Sequence, residues 1–217
     1  MIKLTREVYI QTTYNMIVSE GLEQVSIRKI AKKLNCSSAS LYRHFESLEH
    51  LMSFASIKFL QPYIDDLKFV VPKNEQEIDT YYRIWESFAM FSFLNPKIYN
   101  GIFFGQYSSN LSKTIKMYYT MFSSEITDIG DIISLFIMES NFNKRDLILL
   151  ENCTKKEKFT KSDIQLISTL CVYLYKGMLK TVLEKVENES VEKLVYYLMD
   201  GIHFIVDSVK NKEKLHI

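Results

Sequence analysis

Five basic side chains and a run of hydroxyls crowd into the twenty residues from Ser26 to Phe45. Arg28, Lys29, Lys32, Lys33 and Arg43 supply the charge, and no acidic residue lies among them. The whole chain of 217 residues carries only +1. A local positive patch in a near-neutral molecule is suited to a polyanion such as a phosphodiester backbone. Ser26, Ser37, Ser38 and Ser40 add hydroxyls that can bond phosphates. Tyr42, Arg43 and His44 end in groups that can reach phosphates or base edges.

The elements that would position them follow from spacing. Ile27, Ile30, Ala31 and Leu34 form one helical stripe, and Leu41 with Phe45 forms a second, at i and i+4. Between them Asn35-Cys36-Ser37 reads as a tight turn. Ser26 is a good N-cap for the first short helix and Ser37 for the second, whose free amides also favour a phosphate. Asn35 tolerates the left-handed backbone that often ends a helix. Ser38, Ala39 and Ser40 are small enough for close entry into a major groove. Two short helices around a turn, the second rich in hydroxyls, describe a helix-turn-helix. The competing reading is a solvated basic helix pair in an ordinary helical protein.

This segment resembles the DNA-binding domain of the TetR (tetracycline-repressor-like) family. Ser26, Arg28, Ile30, Ala31, Ser37, Ser40, Leu41, Tyr42, His44 and Phe45 carry the resemblance, which covers about the first fifty-five residues. The ending Leu41-Tyr42-x-His44-Phe45 is its most specific part. Asn35-Cys36 replaces the usual Gly-Val of the turn, and Leu48 stands where a lysine is common. The resemblance implies a homodimeric transcriptional repressor on a pseudo-palindromic double-stranded operator, and three cysteines without an even disulfide set fit a cytoplasmic protein with reduced thiols. It also implies an all-α fold, with a helix-turn-helix domain over residues 1–47 and a helical ligand-binding and dimerisation domain over 48–217. The expected DNA contacts are Ser26, Arg28, Ser37, Ser38, Ser40, Tyr42, Arg43 and His44.

Composition narrows the alternatives. Six Gly and three Pro leave few breaks, so long helices are expected. The start has charges at positions 3, 6 and 7 and no apolar h-region, so no secretory signal is expected. The longest strongly apolar charge-free run, Ile164 to Tyr175, is too short for a bilayer, and no membrane partner is expected. Cysteines at 36, 153 and 171 have no metal spacing and form no even disulfide set. The four histidines lie apart, without a nucleophile, metal or acid-base partner. No Gly-rich phosphate loop exists, so neither catalysis, metal nor cofactor is expected.

Along the chain, Thr5 to Glu20 reads as a first helix with Val8, Tyr14, Ile17 and Val18 inward and Gly21 as its stop. Ser47 caps a fourth helix that Pro62 kinks or ends. Asn74 with Glu77 looks like a capping box opening a helix to about Asn95. Further helices are expected over 97–104, 109–122, 128–139 and 144–152, then a basic loop over 153–161. Thr160 with Asp163 opens a long helix to about Val186, and Ser190 another to about Val209. The first carries Ile164, Ile167, Cys171, Leu174, Met178 and Val182 on one side, and Leu166, Leu170, Tyr173, Leu179 and Leu183 on another. The second is similarly apolar on two sides, through Leu198, Ile202, Tyr197 and Phe204 among others. One side of each can face the core and the other a second copy, as a four-helix bundle across a two-fold axis.

Of 29 aromatic residues, 18 fall in the 84 residues from Phe59 to Phe142. Such a concentration can line a cavity for a small apolar or planar effector. Trp85, Phe88, Tyr99, Phe103, Phe104, Tyr118, Tyr119 and Phe122 are the candidate ligand contacts, with Glu86 or Glu139 as partners for a cationic ligand. Aromatics at helical spacing also build plain cores. A DNA-binding architectural or partner-controlled regulator without a small ligand therefore stays open.

Overall fold

The computed structural model describes residues 4–71, 77–105, 108, 111–126, 137–185 and 189–212. Among them the chain forms α-helices and short 3-10 turns, and no strand. The α-helices are α1 (Arg6–Glu20), α2 (Ile27–Lys33), α3 (Ser38–Tyr42), α4 (Leu48–Ile57), α5 (Gln61–Val70), α6 (Ile78–Leu94), α7 (Pro96–Phe103), α8 (Leu111–Met121), α9 (Phe142–Cys153), α10 (Lys161–Glu184) and α11 (Val191–Lys210).

Helix starts follow hydroxyl and amide caps. The Oγ atoms of Ser26, Ser37, Ser47 and Ser190 each accept a backbone amide three residues on, and Asn141 does the same for α9. Thr160 and Asp163 form a full capping box. Each such cap satisfies an amide that the helix leaves without a partner. The expected start at Asn74 lies outside the described residues, and α6 begins instead at Ile78, with Glu77 as N-cap. Most of the helix expected over 128–139 is also outside them. Pro62 sits in the first turn of α5, where its missing N–H costs nothing.

α1 buries Ile17 as its sequence predicts, but the rest of its inward face differs. Tyr9, Ile10, Thr13, Met16 and Ile17 are buried, while Val18 is 62% exposed and Val8 and Tyr14 are half-buried. Gly21 ends the helix at φ +91°, as expected, donating its amide to the Ile17 carbonyl at 2.9 Å.

α4 packs on α1 and also on α7 and α8. Behind it α5, α6, α9 and α10 stack around the aromatic residues, and α11 lies across α6 and α10. α10 is long and apolar enough to cross a membrane by length and composition, which the short charge-free run did not anticipate. Here one side of it belongs to the core, with Ile167, Cys171, Val172, Tyr175 and Leu179 buried, and its other side is exposed. Leu179, grouped in the sequence with Leu166, Leu170 and Tyr173, is buried while those three are exposed. At the crossing of α10 and α11, a Cβ on Gly201 would meet Leu174 Cδ2 at 2.6 Å, so a larger residue there would require the Leu174 side chain to shift.

Candidate nucleic-acid interface and aromatic region

The turn of the helix pair is built by backbone bonding. Asn35 adopts φ +50°, the amide of Cys36 donates to the Ala31 carbonyl at 2.9 Å, and that of Asn35 donates to Lys32 at 3.2 Å. This is a Schellman ending, with asparagine in the position glycine usually takes. Leu41 and Phe45 are buried, so α3 is anchored through the side that its spacing predicted. Phe45 packs edge-on against Phe54 at 5.9 Å between centroids, which ties α3 to α4.

Anchoring on one side fixes what the other presents. Arg28, Tyr42 and Arg43 are exposed, Ser37 is exposed, and Ser38 is half-exposed. Ser26 and Ser37 spend an acceptor on their own helix starts, leaving their hydroxyl protons for an outside partner. Ser40 is tied inward, because the Tyr9 hydroxyl donates to its Oγ at 2.9 Å. His44 is half-buried and lies 5.3 Å from the Tyr9 ring. Tyr9, which no spacing connects to the motif, thus sets the angle of α3 through Ser40, His44 and a 3.6 Å contact with the Cys36 sulfur. Burial raises its phenol pKa above the ordinary value.

Residues 10–53 match the family described as bacterial regulatory proteins, tetR family. The N-terminal unit is a TetR-family DNA-binding domain. Over its whole length the chain resembles the structure of a tetR family transcription regulator from Shewanella sp. PV-4. That likeness has 13% identity and a TM-score of 0.51, and covers 95% of this chain and 98% of the other. A second such regulator, from Marinobacter aquaeolei VT8, aligns at 18% identity and a TM-score of 0.43 over 90% and 94% of the two chains. No curated protein matches the chain. The helices behind the TetR domain therefore follow the fold of a TetR-family regulator, and the role that goes with that domain is regulatory DNA binding.

The aromatic candidates divide into two groups. Trp85 and Phe88 line a cavity of about 30 Å³ together with Tyr63, Phe142, Arg145 and Asp146. Phe103, Phe104 and Tyr99 are in the shell around it, with Phe103 and Phe104 at 5.2 and 5.1 Å from the Phe142 ring and Tyr99 at 5.5 Å from Phe88. Tyr118 and Phe122 lie elsewhere. The Tyr118 hydroxyl donates to Glu125 Oε2 at 2.6 Å, and Lys58 binds the other oxygen of that carboxylate at 2.6 Å. The Lys58 ammonium lies 5.1 Å from the Phe122 ring and 5.8 Å from that of Tyr14 on α1. Tyr119 is buried nearby with its hydroxyl unpaired. Glu86 is exposed and Glu139 accepts the amide of Asn141, so neither expected carboxylate faces the cavity.

Two charged residues that sequence reasoning missed do face it. Asp146 is 5% exposed, and its Oδ1 accepts Trp85 Nε1 at 2.8 Å and the Tyr81 hydroxyl at 3.0 Å. Burial pushes its pKa up to about 6, against the pull of those hydrogen bonds and of the Ser168 hydroxyl. Oδ2 makes no hydrogen bond of normal geometry. Arg145 is also buried, lies over the Phe103 ring at 4.8 Å and donates to the Ile137 carbonyl at 3.4 Å. Its pKa is lowered by burial. The run Arg145-Asp146 precedes Leu-Ile-Leu-Leu, and in sequence it looks like a solvated helix start, because the Asp146 partners Tyr81 and Trp85 lie more than sixty residues away.

Proposed function

We propose that the protein is a cytoplasmic, homodimeric, non-enzymatic repressor that a small apolar or planar effector releases from a pseudo-palindromic DNA operator. The observation that carries this reading is the basic, doubly capped helix pair of a TetR domain with Arg28, Tyr42 and Arg43 turned outward. Lys and Arg would supply affinity through phosphates, and α3 would read bases from the major groove. Residues 1–47 form the DNA-binding unit in this reading and 48–217 the effector and dimer unit, with α4 as the lever between them.

Dimerisation is supported by what α10 and α11 leave uncovered. Tyr173 is 60% and Phe204 73% exposed, and Leu166, Leu170 and Tyr197 are exposed as well. So much apolar surface on two adjacent helices is costly in water and suits a second copy. Leu198, fully buried within one chain, is not part of that surface. The alternative of a partner-controlled or architectural DNA binder draws support from a different observation. The aromatic region closes on itself, leaving room for about one water rather than the hundreds of Å³ of a typical ligand pocket.

The test is selection of duplexes from a random pool, followed by titration at several ionic strengths. A shared two-fold motif is expected, with affinity falling steeply with salt as phosphate contacts release counterions. Arg43→Ala should weaken binding across sequences. Binding without sequence preference, or with a flat salt dependence, would remove the proposal.

A further inference from the structure

Phe142 occupies a box made by other rings. Its centroid lies 5.1 Å from Phe104, 5.2 Å from Phe103, 5.3 Å from Phe88, 5.4 Å from Tyr175 and 6.0 Å from Trp85. It is nearly parallel to Tyr175, at an interplanar angle of 23°, while Trp85 and Phe104 present edges. This is the arrangement that holds a flat aromatic guest: one stacking face and several edges.

The plug is placed where it can be withdrawn. Phe142 is the first residue of α9, behind the Asn141 cap. Its own amide has no intrahelical bond to lose, so the ring can leave by movement of one helix end. At 8% it is more exposed than Phe103, Phe88, Trp85 and Tyr175, though less so than Phe104. Asp146 follows one turn later on the same helix, at i+4, and therefore shares the face of Phe142. The carboxylate lines the adjoining cavity, where Oδ1 accepts from Trp85 and Tyr81 and Oδ2 has the Ser168 hydroxyl near it but no hydrogen bond of normal geometry. Arg145 is directed to the Phe103 ring and the Ile137 carbonyl.

We propose that the Phe142 ring is a built-in stand-in for a flat aromatic amine or amidine, whose ring takes the box and whose N–H group bonds Asp146 Oδ2. The inference rests on reading the C-terminal region as an effector-binding unit, and it names the class of molecule that unit accepts. An N–H donor would give Oδ2 the well-formed hydrogen bond it lacks in the closed box, and a poorly paired acceptor in a buried site is costly. A purely apolar guest would fill the box but leave Oδ2 as it is. An anionic guest would be repelled by Asp146 and could pair only with Arg145, which is turned to the Phe103 ring and the Ile137 carbonyl.

The experiment empties the box and offers two probes of similar size, benzamidine and toluene. Phe142→Ala should bind benzamidine saturably, read as a rise in Tm and a change in the emission of Trp85, the single tryptophan. Adding Asp146→Asn should weaken benzamidine at least about tenfold while leaving toluene unchanged. Should Phe142→Ala fail to fold, Phe142→Leu leaves a smaller void for the same titration. Equal binding of both probes with no effect of Asp146→Asn would overturn the donor assignment. Binding of neither probe to a folded variant would overturn the plug. Titration with a selected duplex present separates this inference from the reading beneath it. Probe binding that changes Trp85 emission without releasing DNA would remove the effector role and leave the site. DNA release by aromatic amines with no response from Trp85 or Asp146→Asn would do the reverse.

Discussion

The helix pair at the N-terminus and the aromatic region behind it solve opposite problems. In the first, Leu41 within α3 and Phe45 just beyond it are buried and hold a helix whose other side stays open and polar. In the second, rings fill one another's space and two charges, Arg145 and Asp146, are taken inside. One region keeps its polar chemistry in water, where it costs little and can reach a partner. The other hides polar chemistry where it must be satisfied or left waiting. The contrast teaches where each should be fragile.

The largest effect should come from violating the closed region. Leu198→Glu would bury an unpaired carboxylate and should cost more than about 4 kcal/mol, so that the chain fails to fold. Phe204→Glu, on the uncovered side of the same helix, should leave helicity and Tm nearly unchanged and lower the apparent mass in sizing. Equal behaviour of the two variants would erase the distinction between core and uncovered face. Phe45→Ala comes next, at about 3–5 kcal/mol by denaturant unfolding, because a buried ring is lost. Tyr42→Ala, three residues earlier, should be near neutral in stability and damaging only to duplex binding. Reversal of that pair would mean that α3 faces the other way.

Smaller effects sharpen the comparison. Ser37→Ala removes a cap in the open region and should cost about 1 kcal/mol. Asp146 should show a pH signature of similar size. Its folded pKa, raised by burial to about 6, exceeds the ordinary 3.8, so the folded state holds its proton more tightly. Stability should therefore rise by about 1 kcal/mol as pH falls from roughly 7.5 to 5, through the raised value. Asp146→Asn should remove that rise while keeping an acceptor for Trp85 and Tyr81. Asp163, held down to about 2 by Lys212 and Thr160, works in the opposite direction only at lower pH. An Asn variant with an unchanged pH profile would place the titration elsewhere.

Legibility in the sequence divides along the same line. Caps are local, and Ser26, Ser37, Ser47, Thr160 and Ser190 all start the helices they were expected to start. The anchoring of α3 was legible because Leu41 and Phe45 are the only large apolar residues at helical spacing there. α1 misled because its apolar residues allow two stripes, and Tyr9 is drawn inward by Ser40 and Cys36 across about thirty residues of chain. The aromatic concentration was visible, but its internal division was not. Tyr118 and Phe122 went to a joint with Lys58, and the cavity's polar lining came from Arg145 and Asp146, whose burial depends on distant rings.

That joint determines how the molecule comes apart. Lys58 is only 15% exposed, pairs with Glu125 behind it and lies over the Tyr14 ring in front. Opening either side alone would strand a charge with little water to receive it. A unit as small as residues 1–47 also buries too little surface to persist well by itself. The two halves should therefore melt in a single cooperative transition, and a fragment ending after α4 should be largely unfolded. Lys58→Met, which fills the same space without the charge, should let the halves separate into two heat-absorption peaks.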